Sequence, residues 1–284
     1  MKAALYIVPT PIGNLDDITI RAIDVLRSVD IIAAEDTRHS KPLLRHYDVA
    51  TTVVSFHEHS GESEAGTLAE RIAQGQSIAL ISDARTPLVS DPGYQLVRAV
   101  QGLALPIIPL PGPCAAITAL SAAGLPTHSF RFEGFLSAKR GARRARLEAL
   151  RGLDSTVILY EAPHRILDLL DDLFDVFGGS REACVARELT KTFETVRRDT
   201  IAALREFTRS DSNQQRGEFV VMVAPTAKVV EIKENIKNKK KEKKMVKKIV
   251  KEENEFVNKE ISKQKKPKYK KETITKSNVN KRRK

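Results

Sequence analysis

The sequence predicts a two-domain α/β protein with a mostly parallel sheet in its N-terminal part, a ligand cleft at the strand ends and a basic C-terminal tail. Three observations predict it. Short apolar runs alternate with segments of helical spacing over the first 125 residues, the pattern of a parallel sheet covered on both faces. Polar loops follow at least five of the predicted strands at their carboxyl ends, where open α/β sheets bind ligands. Near residue 229 the composition changes abruptly.

Ala3 to Val8 reads as the first strand, and Pro9-Thr10-Pro11-Ile12-Gly13-Asn14 cannot continue it. A helix is expected after Asp16-Asp17 through Arg27, with Ile20, Ile23 and Leu26 near helical spacing. Ile31 to Ala34 is the second strand, ending in Glu35-Asp36-Thr37-Arg38, and Thr52 to Phe56 the third. A helix over 64–74 leads into the strand Ile78 to Ile81, whose polar continuation Ser82 to Gly93 contains two Asp residues among Pro and Gly. A helix over 93–101, a strand over 104–110, the loop Pro111-Gly112-Pro113-Cys114 and a small-residue helix over 115–123 complete a domain at 1–124. Small side chains in that helix allow close packing, or approach of a ligand to its N-terminus.

The second domain, 125–228, opens after Gly124-Leu125-Pro126. Strands are expected over 130–135, 156–160, 183–188 and 219–224, and helices over 139–151 and 166–177, the latter ended by Gly178-Gly179. The helix over 139–151 carries Arg140, Arg143, Arg144 and Arg146, either as a solvated face or as phosphate contacts.

The net charge of +12 is unevenly placed. Residues 229–284 hold 22 Lys and Arg against 8 Asp and Glu, a net +14, which leaves 1–228 at −2. The tail is also Lys-rich where the rest is Arg-rich, and with little to pack as a core it is expected to be disordered. Cys114 and Cys184 form no C-x-x-C, so neither a disulfide framework nor a zinc ribbon is indicated, and a reducing cytoplasm is the natural compartment. The N-terminus reads as a strand rather than a signal peptide, and no run approaches transmembrane length.

The chain lacks G-x-G-x-x-G after a strand, G-x-x-x-x-G-K-[ST] and G-x-S-x-G. That argues against a dinucleotide oxidoreductase, a P-loop kinase and an α/β-hydrolase. His57-Glu58-His59 offers alternating ligands without a third at a recognisable spacing, so it reads as a solvated edge and no metal is expected. Cys114 stands at an expected helix N-terminus, where a thiolate would be stabilised. Without a nucleophile signature around it, a small packing residue beside a ligand is the better reading.

VPTPIGNLDDIT at 8–19, AAEDTRHS at 33–40, PLPGPCAAITALSAAGLP at 109–126, YEAPHR at 160–165 and RELTK at 187–191 stand in one order. Together they resemble the ribosomal RNA small subunit methyltransferase I family, a ribose 2′-O-methyltransferase branch of the tetrapyrrole methylase superfamily. The resemblance covers residues 1 to about 225. It implies a two-domain tetrapyrrole methylase-like fold, a cytoplasmic homodimer, and S-adenosylmethionine bound in the interdomain cleft. The implied reaction is methylation of a decoding-centre cytidine of 16S rRNA in the small ribosomal subunit, without metal or membrane. By position, cofactor contacts fall on Asp83, Ala84, Thr86 and Pro87, on Gly112, Pro113, Cys114 and Ala115, and on Tyr160. RNA contacts fall on Thr37, Arg38, Lys139, Arg140, His164 and Arg165, with Asp36 or Glu35 as general base. A carboxylate serving an alcohol in that way needs positioning or a raised pKa, unless alignment of the hydroxyl with the methyl group carries the transfer.

Three features depart from the family pattern. Arg85 stands where D-A-G-T-P has glycine, so its side chain either points out of the cleft or obstructs the cofactor. Ser137 replaces an expected Pro, and the Lys-rich tail stands where family members carry a small helical domain. Two other readings remain open: a corrinoid-type tetrapyrrole methyltransferase of the same fold, and a catalytically inactive RNA-binding protein. Deleting 229–284 is expected to leave cofactor affinity unchanged while lowering RNA affinity and flattening its salt dependence. Titrations of RNA at two ionic strengths check this.

Overall fold

The alternating apolar character of the early strands builds a sheet with a core on each side. In this computed structural model, residues 1–57, 60–83, 85–90, 93–226 and 243–248 are described. Met1–Val229 form one compact unit and Val230–Lys284 a second. Within the first unit, β1 (Leu5–Ile7), β2 (Ile31–Ala34), β3 (Thr52–Ser55), β4 (Ile78–Ile81) and β5 (Ile107–Pro109) form a parallel sheet in the order β3-β2-β4-β1-β5. Tyr6, Ile32, Ala34, Ala79 and Ile81 face a core with helices α1 (Ile20–Ser28) and α2 (Thr37–His46). Leu5, Ile7, Ile31, Ile78 and Leu80 face the other core, with α3 (Glu62–Ala73) and α4 (Tyr94–Gly102). Period-two alternation thus supplies both cores from the same strands.

The chain moves outward from β1 through β2 to β3, returns to β4 and then crosses to β5 on the far side of β1. The reversal lies between β4 and β1, so their carboxyl-end loops flank the crevice in which such sheets bind ligands. After β5, α5 (Ala115–Ala122) leaves this sheet and packs on a second one.

The second sheet has the order β6-β7-β10-β8-β9, from β6 (Phe130–Phe135), β7 (Thr156–Glu161), β8 (Glu182–Arg187), β9 (Thr195–Thr200) and β10 (Phe219–Val223). β6 and β7 are parallel, whereas the β7-β10, β10-β8 and β8-β9 pairs are antiparallel. One face is covered by α6 (Arg140–Leu150), α7 (Ile166–Phe177) and α8 (Ile201–Ser210). The other receives Ala116, Ala119, Leu120 and Ala123 of α5 and its C-terminal flank against Ile158, Tyr160, Cys184 and Met222.

Sequence periodicity missed α2, β9 and α8. Pro42 lies inside α2 on its exposed side, but Asp36 caps the helix and Leu43 and Leu44 are buried beneath it. Packing of that apolar pair outweighs the hydrogen bond that proline removes. β9 is an edge strand whose TVRRDT sequence is too polar to show alternation. The helix α1 is capped by Thr19, whose hydroxyl accepts from Ala22 N, rather than by Asp16 or Asp17. The expected disordered tail lies outside the described residues except for 243–248, which are helical and exposed. Among the described residues no helix is long and apolar enough to cross a membrane.

The Arg cluster of α6 turns onto acidic α7. Asp172 is fully buried and receives Arg143 Nε at 2.7 Å and Arg140 Nε at 3.0 Å. Arg144 bonds Asp175 at 2.6 Å, and Arg146 bonds Glu133 at 2.8 Å. Arg143 is itself 2% exposed, so this pair joins the two helices from within the core. Burial opposes ionisation of Asp172, but hydrogen bonds from Arg143 and Arg140 hold its pKa below the ordinary carboxylate value. Its stabilising contribution is therefore complete at neutral pH and is lost only as pH falls through that lowered folded value. Asp172→Ala, which strands a buried guanidinium, is expected to cost about 3–5 kcal/mol in denaturant unfolding. A joint Arg143→Met, Asp172→Leu variant should recover most of that loss, and equal destabilisation of both variants would contradict this account of the pair.

Candidate active site

Side-chain and backbone hydrogen bonds stitch together the loops that leave β1, β4 and β5. Thr10 Oγ1 donates to the Ser82 carbonyl at 3.0 Å, and Thr10 N donates to the Arg85 carbonyl at 3.2 Å. Arg85 N returns a bond to Thr10 Oγ1 at 3.2 Å, while Ser82 Oγ also donates to the Arg85 carbonyl. Thr86 Oγ1 reaches the Pro113 carbonyl at 2.8 Å. A Cβ on Gly112 would lie 2.6 Å from Pro9 Cβ, so glycine there permits the contact between the first and last of these loops. One on Gly13 would lie 2.5 Å from Lys191 Cγ, which brings the PTPIGN and RELTK segments together. Lys191 is held in turn by Glu188 at 2.9 Å and Glu218 at 3.0 Å.

The loop after β2 joins this assembly through Asp83. Its Oδ1 accepts from Asp36 N at 3.1 Å, and its Oδ2 lies 3.1 Å from His39 Nδ1. Asp36 meanwhile accepts from Arg38 N at 2.8 Å and from the Arg38 guanidinium at 2.8 and 3.2 Å. The Arg38 side-chain hydrogen bonds, followed by its backbone N–H, hold the Asp36 carboxyl well below the usual range. Such a carboxylate is anionic but weakly basic. His39 was not singled out by sequence reasoning, although it stands inside AAEDTRHS, two positions after the start of the helix that Asp36 caps.

A cavity of about 220 Å³ opens against these loops, with Ile12, Arg85, Ala115, Phe135, Tyr160 and Leu189 in its lining. It draws on both sheets. Tyr160 OH accepts from Ala116 N at 3.1 Å, which supplies one of the unpaired donors at the start of α5. The Tyr160 ring meets Phe132 and Phe135 edge to face at 4.9 and 5.6 Å. Glu161 is 2% exposed and also lines the cavity. Burial pushes its pKa up, against the opposing pull of the Ala162 N–H and of Arg165. Arg165 Nη2 donates to Glu161 at 3.2 Å and to the Leu136 carbonyl at 2.7 Å.

Of the sequence-predicted cofactor residues, Ala115 and Tyr160 line the cavity, while Asp83, Thr86, Pro113 and Gly112 belong to the loops that frame it. Pro87 is buried, Cys114 precedes α5 without capping it through its side chain, and Ala84 lies outside the described residues. Among the predicted RNA contacts, Arg38, Lys139 and His164 are exposed and Thr37 is partly so. Arg165 turns inward to Glu161, and Arg140, though exposed, is tied to Asp172. Arg85 neither leaves the site nor stands apart from it, for it forms part of the wall. Cys184 is buried, which raises its pKa to about 11, and both cysteines are free. Among the described residues no cluster of three His, Cys, Asp or Glu could hold a metal ion, while Glu58 and His59 of the His57 to His59 segment lie outside them.

Residues 4–205 match the family model of the tetrapyrrole (corrin/porphyrin) methylases. Ribosomal RNA small subunit methyltransferase I of Pseudomonas aeruginosa is 56% identical over 220 residues, spanning 78% of each chain. The protein of that name from Escherichia coli O157:H7 is 52% identical over 222 residues, again 78% of each. Two solved structures share the fold. Diphthine synthase has a TM-score of 0.61 at 14% identity, covering 78% of this chain and 89% of its own. Uroporphyrin-III-C-methyltransferase from Thermus thermophilus has a TM-score of 0.56 at 20% identity, covering 82% and 98%. With a family model across most of the chain and relatives of this identity, the chain belongs to the tetrapyrrole methylase family, in its ribosomal RNA small subunit methyltransferase I branch.

Proposed function

We propose that the protein is a cytoplasmic, homodimeric methyltransferase that uses S-adenosylmethionine to methylate the ribose 2′-oxygen of a decoding-centre cytidine in 16S rRNA. The observation that carries this reading is the convergence of segments from five separate motifs on one mainly apolar cavity and its frame. The chemistry of that lining fits the cofactor. Ile12, Leu189 and the Tyr160 and Phe135 rings offer apolar and aromatic faces for an adenine, and Glu161 and Glu218 in the same lining offer acceptors for an amino group. No glycine-rich phosphate cradle is required. S-adenosylmethionine supplies a methyl group on a cationic sulphur, which departs as a neutral thioether when the ribose oxygen takes the methyl.

His39 suits the accompanying proton transfer better than Asp36 or Glu35. Asp36 is held as an anion by Arg38, and Glu35 lines a neighbouring cavity. Contact with the Asp83 carboxylate makes His39 Nδ1 the donor, which leaves the lone pair on Nε2. The hydroxyl proton passes to that nitrogen and then to water, while Asp83 fixes the ring. Exposed Arg38, Lys139 and His164 meet the RNA backbone.

Tritiated methyl transfer to protein-depleted small-subunit particles, with mapping of the modified nucleotide, tests the function. Label on a ribose oxygen supports it, and label on a base, or none beside an active control enzyme, overturns it. In the same assay His39→Ala is expected to lower kcat by about a hundredfold with KM for RNA changed less than about twofold, and added imidazole should restore part of the rate. An unchanged kcat would remove His39 from the chemistry.

Calorimetry with S-adenosylmethionine addresses Arg85. Binding is expected for the chain, and Arg85→Gly should tighten it by up to about tenfold, or 1.4 kcal/mol, because bulk leaves the cavity wall while the backbone bonds to Thr10 persist. Binding by the variant alone would instead identify the chain as a catalytically inactive RNA binder.

A further inference from the structure

The outer face of α2 carries a charge pattern that the fold does not require. Within Thr37–His46 stand Arg38, His39, Lys41, Arg45 and His46, and no Asp or Glu. Ser40, Leu43 and Leu44 are buried, whereas all of these basic residues are exposed. Arg38, Lys41 and Arg45 follow one another at intervals of three and four positions, so they form one stripe along the helix. With a rise of about 1.5 Å per residue, the stripe is roughly 10 Å long.

Like charges at these spacings destabilise a helix. Its C-terminal members have a local explanation, since Arg45 and His46 complement the helix dipole, as does Arg27 of α1, which donates to the Tyr47 carbonyl at 2.6 Å. Arg38 and His39 stand in the first turn, where the dipole disfavours cations, and Lys41 gains from neither end. Arg38 pairs with Asp36 at 2.8 Å and His39 contacts Asp83 at 3.1 Å, whereas Lys41 and Arg45 make no ion pair among the described residues. Residues 1–228 carry a net −2, so an all-basic helix face stands out from its surroundings. The stripe begins at the site, beside the contacts of Asp36, His39 and Asp83, and leads away from it. It presents no large exposed apolar side chain, which a lipid surface would require. Phosphates of one strand stand about 3.4 Å apart along a duplex axis, so its length spans roughly three of them.

We propose that the outer face of α2 is a docking track for a nucleic-acid backbone, in which Lys41 and Arg45 hold phosphates of the strand that flanks the nucleotide at the site. The inference rests on the RNA methyltransferase reading and extends it, because it sets the direction in which the substrate strand leaves the site. Lys41 and Arg45 position the strand without reading it, since phosphates carry no base identity. Their loss therefore raises KM and leaves kcat in place.

Binding of the full chain to protein-depleted small-subunit particles, titrated at several ionic strengths, tests the track with the double variant Lys41→Gln, Arg45→Gln. Affinity should fall by roughly tenfold, and the slope of log affinity against log salt by about 1.4, or about 0.7 for each lost phosphate contact. Lys41→Arg, Arg45→Lys keeps the charge and should retain both. Arg71→Gln, Arg98→Gln removes the same charge from exposed positions on α3 and α4, across the sheet, and should change affinity by less than about twofold. Methyl transfer by the first variant should show the raised KM with kcat changed by less than about twofold. Equal losses from the α2 and the α3–α4 variants would assign the effect to net charge and overturn the proposal. Unchanged affinity and slope in the α2 variant would overturn it too, as would loss of binding to anionic phospholipid vesicles with particle binding intact. An unmodified chain that binds the particles and transfers no methyl group, beside an α2 variant that binds them less tightly, would sink the enzymatic reading and leave the track standing.

Discussion

The structure of the first unit depends on where α5 is seated. The helix follows β5 of the parallel sheet through Pro111 to Cys114, yet its buried face belongs to the other sheet, against Ile158, Tyr160, Cys184 and Met222. Alanines at 116, 119 and 123 allow that approach, and the bond from Ala116 N to Tyr160 OH sets the position of its first turn. One helix therefore fixes the parallel sheet's carboxyl-end loops against the end of β7. Ala115 and Tyr160 become neighbours in a single cavity wall as a consequence. A larger residue on the buried face of α5 would force the sheets apart or force strained rotamers, because closely packed interiors absorb added methylenes poorly.

Most of this arrangement was legible in the sequence, because apolar strands ending in polar loops report both the element and the side of the sheet where a ligand binds. The ends of β2, β4, α7 and β6 fall where periodicity placed them. The exceptions have physical causes. In α2 the proline obscures a helix whose stability comes from a cap and two buried leucines. In β9 the strand has an edge position and alternation carries little signal. At the site, motifs identified the loops, but not which side chains face each other. His39 finds Asp83 across 44 positions of sequence, and Arg165 reaches the Leu136 carbonyl across 29 as well as nearby Glu161. Pairings at that range depend on tertiary structure and leave no local trace.

The distribution of charge follows from the same pairings. Buried Asp172 and Glu161 retain partners because an unpaired charge in the interior costs far more than the pair contributes. Arginines that the sequence leaves open as a solvated face or as phosphate contacts are paired with α7 and with Glu133. In residues 1–228, where the net charge is −2, attraction to a polyanion must come from a few exposed cations rather than from an overall field.

Position 85 shows how the fold can accept a residue that the family pattern does not contain. The geometry of this turn is secured by main-chain groups: the Arg85 amide and carbonyl both bind Thr10, and Ser82 adds a third contact. None of these bonds depends on the identity of the side chain. The knot between the β1 and β4 loops therefore stands whichever side chain occupies position 85, and the Arg85 residue also forms part of the cavity wall. The neighbouring contacts differ in kind, because the Tyr160 hydroxyl and the Gly112 approach to Pro9 both couple the cavity to the packing of the sheets. Substitution there would change the architecture and the cavity together.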